Sequence, residues 1–127
     1  MQIIDVFSGF SVTNLDAAQE FYTTMLSLAV KRDKMGLHIA LPAGGEVFIY
    51  QKSDHTPAAY TVLNLVVNSI DSAVDELATK NQTLQHYDNL PAPRDEKGIL
   101  RGKVAGMGPD IAWITDPSGN IIALLES

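Results

Sequence analysis

The 127-residue chain carries 9 Lys and Arg against 15 Asp and Glu, a formal charge of -6, with 46% hydrophobic and 19% charged residues and no Cys. The acidic balance argues against nucleic-acid partners, because phosphate contacts need surplus cations. The missing Cys excludes disulfides, thiolate metal sites and cysteine nucleophiles, and suits a reducing compartment. The length fits a single domain over residues 1–127, enough to bury roughly two thirds of the surface its unfolded form exposes. No basic, apolar leader and no membrane-length apolar run is visible, so a cytoplasmic protein without a membrane partner is expected.

In chain order, residues 6–12 form a β-like run that ends at Thr13-Asn14. Asn14 can cap a helix in which Ala18, Phe21, Tyr22 and Met25 share one face. Residues 26–32, 37–41 and 47–51 read as three short strands, with Pro42-Ala43-Gly44-Gly45 turning between the last two. After a polar connector, 53–59, a strand over 61–67 precedes a helix capped near Ser69, whose Ile70, Ala73, Val74, Leu77 and Ala78 repeat at helical spacing. Residues 84–87, 110–115 and 120–125 complete the strands. Arg94, Lys97, Arg101 and Lys103 lie in a long Pro/Gly-containing loop, interleaved with Asp95 and Glu96, and read as a solvated loop with an anion contact as the alternative. The last strand, Ile121-Ile122-Ala123-Leu124-Leu125, is apolar on both faces, which requires cover on both sides of a sheet.

The chain reads as an internal repeat. Phe10-Ser11-Val12 matches Leu65-Val66-Val67, Leu15-Asp16 matches Ile70-Asp71, and Ala40 to Val47 matches Ile114 to Ile121. The expected fold is α+β: two tandem βαβββ units, 1–52 and 60–127, forming a curved, mostly antiparallel sheet around a cavity with helices on the outer face.

Val12-Thr13-Asn14-Leu15-Asp16 followed by Phe21-Tyr22 and Leu26, together with Asp116-Pro117-Ser118-Gly119-Asn120 before the last strand, resembles the vicinal oxygen chelate superfamily. Its members include glyoxalase I, bleomycin-resistance proteins, fosfomycin-resistance enzymes and ring-cleaving dioxygenases, and the likeness covers nearly the whole chain. The resemblance implies a divalent metal held by His, Gln or Glu side chains on the first and last strands of each unit. Here those positions fall on Phe7, Ile49, Val62 and Ala123, none of which offers a lone pair. No metal site, cofactor or catalytic residue is therefore expected, and the chain is most like the metal-free bleomycin-resistance members. His38, His55 and His86 lie on separate segments without paired ligand spacing. His55 and His86 read as surface residues, while His38 faces the cavity only if the Pro42 to Gly45 turn sets it so.

Counting along one sheet face adds Gly9, Ser11, Gln51, Asn64 and Val66 to the ligand positions, and the resemblance adds Trp113, whose indole suits flat or cationic ligands. The candidate ligand site is thus Phe7, Gly9, Ser11, His38, Ile49, Gln51, Val62, Asn64, Trp113 and Ala123. Three functions fit: a metal-free protein that sequesters an aromatic or cationic antibiotic-like compound; a metal-dependent or metal-independent lyase, isomerase or dioxygenase-like enzyme; and a structural or regulatory protein with a vestigial cavity. The first is favoured, an enzyme is not, and the resemblance also implies a homodimer.

Overall fold

Asn14 and Ser69, the two caps expected from the sequence, each begin a helix. In the computed structural model, which describes all 127 residues, Asn14 accepts from the Ala17 N–H at 2.9 Å and Ser69 from the Ser72 N–H at 3.2 Å. These bonds satisfy amide donors that a helix start leaves without partners. The chain divides into two compact units, Met1–Pro57 and Ala58–Ser127.

The first unit runs β1 (Ser8–Val12), α1 (Leu15–Glu20), β2 (Val30–Arg32), β3 (Leu37–Ala40) and β4 (Glu46–Gln51), with sheet order β1-β4-β3-β2. β1 pairs parallel to β4 and the other pairs are antiparallel. A π-helical turn, Phe21–Met25, extends α1, and the Leu26 N–H closes it onto the Phe21 carbonyl at 3.3 Å. That turn and the left-handed Ser27 (φ 54°) consume the start of the strand expected over 26–32, which shrinks to Val30–Arg32. Phe10, Val12, Leu37, Ile39, Val47 and Ile49 share one buried face, with Tyr22 packed against Phe10. Each fully buried Leu or Ile stabilises the unit by about 1.5–3 kcal/mol over exposure.

The second unit repeats this order with β5 (Thr61–Val66), α2 (Ile70–Thr79), β6 (Leu100–Arg101), α3 (Gly102–Ala105), β7 (Asp110–Thr115) and β8 (Ile121–Glu126), in sheet order β5-β8-β7-β6. The strand expected over 84–87 is absent. Only the Gln85 N–H reaches the sheet, donating to the Trp113 carbonyl at 2.7 Å, and Leu100–Arg101 takes the edge position beside β7. Ile70, Val74, Ile99 and Ala112 form a buried cluster flanked by Val67 and Leu84. Within β8, Ile122 and Leu124 pair with the buried Ile114 and Ala112, while Ala123 turns to the other face.

The register corrects the repeat. Leu37 pairs with Ile49 as Ala112 pairs with Leu124, and Ala40 pairs with Glu46 as Thr115 pairs with Ile121. Leu41 to Gly45 therefore matches Asp116 to Asn120, Pro on Pro, one residue away from the match read in the sequence. The backbone bonds agree, with Gly44 N–H donating to Leu41 O and Gly119 N–H to Asp116 O, both at 3.0 Å. A slip of one residue moves a strand's side chains to the opposite face, so Ile49 changes sides.

Candidate ligand-binding faces

Each sheet has a face turned away from its buried side. On the first unit's open face the register groups Gly9 and Ser11 of β1, His38 of β3, and Phe48 and Tyr50 of β4. Phe7, just before β1, joins them by ring contact. Phe48 is central: it meets Phe7 edge-on (6.5 Å, 84°), stacks on Tyr50 (5.8 Å, 22°) and lies 5.1 Å from the His38 ring. Phe7 is 63% exposed and Tyr50 38%. Gly9 permits this packing, because a Cβ there would stand 2.8 Å from the Phe48 carbonyl oxygen.

Two expected members leave this face. Ile49 is fully buried in register with Phe10 and Leu37, and Phe48 takes the place assigned to it. Gln51 aligns with Val12 on the helix side, where its Oε1 accepts from the Leu15 N–H at 3.0 Å and caps α1.

His38 does face the open side, because β3 and β4 pair without a bulge. Its Nδ1–H donates to Glu46 Oε2 and its Nε2–H donates to Asp33 Oδ2 at 2.9 Å. Donation at both nitrogens requires the imidazolium. The bond to Glu46, with the Asp33 charge behind it, raises the His38 pKa above its ordinary value. Asp33 is held below the carboxylate range, first by the Met35 N–H, with further bonds from Gly36 and His38. Ser11 Oγ and His55 Nδ1 share a hydrogen bond of 2.6 Å at the same sheet edge, so His55 is tied into the unit rather than free on its surface.

On the second unit, Asn64, Ala123 and Trp113 form one register row on the open face. Trp113 is partly buried and meets Tyr87 edge-on (5.6 Å, 86°). Val62 sits at the register shift between Thr61 and Leu63, a bulge in β5. Tyr87, whose phenol pKa burial raises, was not singled out by sequence reasoning, and neither were Phe48, Tyr50 and Asp33. The signal for Phe48 and Tyr50 was present: aligning Pro42 with Pro117 puts them on the open face.

The donor set does not fit a divalent metal at the positions the resemblance designates. With Phe48 in place of Ile49, the four are still apolar, and no three His, Asp or Glu side chains converge to hold an ion.

Three cations of the basic loop, Lys97, Arg101 and Lys103, are paired with carboxylates of the second unit. Arg101 donates to Asp71 at 2.7 and 3.0 Å, to Asp95 at 2.8 Å and to Asp110 at 3.2 Å. Lys97 reaches Asp75, and Lys103 reaches Glu126. Arg101 holds the Asp71 pKa down to about 2. Separately, a cleft of about 860 Å³ lies between Val74 and Ala78 of α2 and residues of 82–98. None of the expected site residues lines it.

No protein-family model matches the sequence, and no curated protein matches it. Solved structures do. TnmS3, an antibiotic binding protein from Streptomyces sp. CB03234, is 18% identical with a TM-score of 0.66, over 99% of this chain and 98% of that one. A lactoylglutathione lyase from Agrobacterium tumefaciens is 15% identical with a TM-score of 0.65, over 98% and 93%. A member of the glyoxalase/bleomycin resistance protein/dioxygenase superfamily from Sphaerobacter thermophilus DSM 20745 is 20% identical with a TM-score of 0.64, over 98% of each. The chain has the two-unit α+β fold of the vicinal oxygen chelate superfamily.

Proposed function

We propose that this chain is a metal-free small-molecule-binding protein that sequesters an aromatic or cationic compound, acting in the cytoplasm as a homodimer. The observation that carries this reading is the row of Phe7, Phe48 and Tyr50 on a sheet face that its own helix does not cover. Stacked rings on an open face offer broad apolar contact together with face and edge geometry for a flat ligand. Trp113 and Tyr87 offer a second such surface on the other unit. The description of TnmS3 as antibiotic-binding favours the same use of the fold.

Titration with a panel of planar compounds tests it. A binder should perturb the ring resonances of Phe48 and Tyr50, alter the fluorescence of Trp113, the single tryptophan, and add about 2.7 kcal/mol of stability at a hundredfold excess over its Kd. Stoichiometric Zn, Ni, Mn or Fe that survives dialysis would overturn it in favour of a metalloenzyme. Sedimentation showing only the 13.8 kDa chain would overturn the dimer.

A further inference from the structure

The first unit's open face places one histidine in contact with its central ring. His38 lies 5.1 Å from Phe48, ring to ring, and its nitrogens donate to Glu46 of β4 and to Asp33 in the turn before β3. The remaining charge in register with it is Lys31 of β2, which is exposed. Protonated His38 thus places a cation against the Phe48 ring and satisfies two carboxylates together. Neutral imidazole has one N–H, so it serves one carboxylate and turns a lone pair toward the other. One acidic oxygen and the ring face then lack a cationic partner. A ligand carrying a delocalised positive charge supplies both, through a charge-assisted contact and a cation–π contact.

We infer that His38 sets the charge selectivity of this face: a cationic aromatic ligand and the His38 proton compete for the same ring and carboxylates, so the ligand is held when His38 is neutral and released when it is protonated. This rests on the reading of the open face as the ligand site, and narrows the ligand class to aromatic cations. The protein's charge of -6 favours the approach of such a ligand.

The test compares N-methylquinolinium with quinoline, its uncharged isostere, from about pH 6 to about pH 9, the span in which a histidine above its ordinary value titrates. Ring resonances of Phe48 and Tyr50 report binding, and those of His38 report its protonation. N-methylquinolinium should bind more tightly as pH rises through the His38 pKa, by up to about tenfold per unit. It should also lower that pKa by linkage, while quinoline affinity stays flat. In His38→Gln the pH slope for the cation should vanish. Equal slopes for the two probes, a His38 pKa unmoved by the cation, or a slope that survives in His38→Gln would each overturn the inference. If quinoline binds at the open face and N-methylquinolinium does not, the charge selectivity falls and the ligand face stands. If neither probe moves Phe48 or Tyr50, both fall.

Discussion

The two units share one topology and one turn geometry, yet they use their polar residues differently. In the second, the turn from β7 to β8 is built around Asp116, only 4% exposed, which accepts from the N–H groups of Ser118 and Asn120 and from the Asn120 side chain, each at 2.9 Å. In the first, the matching turn has Leu41 at that position and closes with backbone bonds alone. Likewise Arg101 gathers Asp71, Asp95 and Asp110 into one network in the second unit, whereas the first places His38 and two carboxylates beside the Phe48 ring. Both units share the scaffold, which depends on the buried apolar rows. The polar positions serve local order in one unit and an accessible surface in the other.

The largest expected effects break the scaffold itself. Ile49→Ala should cost about 3 kcal/mol in denaturant unfolding, since Ile49 is fully buried against Phe10 and Leu37 and truncation leaves a cavity. Asp116→Ala should cost nearly as much, about 2–3 kcal/mol, because buried N–H donors lose their acceptor. Leu41→Ala, its counterpart in the first unit, should cost under about 1 kcal/mol. Equal losses for this pair would show that the two turns do not differ as described.

Acid and base should separate the units next. Asp71, lowered to about 2 by Arg101, and Glu126, lowered by the Ile70 N–H and Lys103, contribute stability that is present above their ordinary values. That stability is lost as pH falls from about 4 toward about 2. His38 has the opposite sign: its raised pKa contributes stability below its ordinary 6.5, lost as pH rises through the folded-state value. Protection factors against hydrogen exchange in β7 should therefore fall on acidification, and those in β3 on raising pH above neutrality. At the small end, Arg32→Ala should leave the unfolding midpoint unchanged, because its Asp16 partner is 85% exposed.

Much of this was legible in the sequence because it is local. Asn14 and Ser69 are caps by chemistry, Asp116 to Asn120 is a turn by composition, and the apolar spacing of 70–78 fixes α2. The repeat was legible too, but Pro42-Ala43-Gly44-Gly45 can be slid along Asp116-Pro117-Ser118-Gly119-Asn120 by matching glycines instead of prolines. That single step exchanged Phe48 for Ile49. The absent strand at 84–87 had a different cause: Asp95 accepts from Lys97 and Ile99 and turns the chain, so that Leu100–Arg101 reaches β7 first. The Arg101 network was not legible, since its carboxylates are spread from Asp71 to Asp110 and only the fold assembles them.

The central claim is that Phe48, and not Ile49, belongs to a ligand face. Measuring both affinity and unfolding midpoint for Phe48→Ala, with a planar ligand that binds the native protein, tests it most directly. Phe48 is only partly buried, so the variant should stay near native stability while affinity falls by at least about tenfold, a loss of about 1.4 kcal/mol. A Phe48→Ala protein that is severely destabilised, yet binds the ligand with native affinity in its folded fraction, would contradict the account.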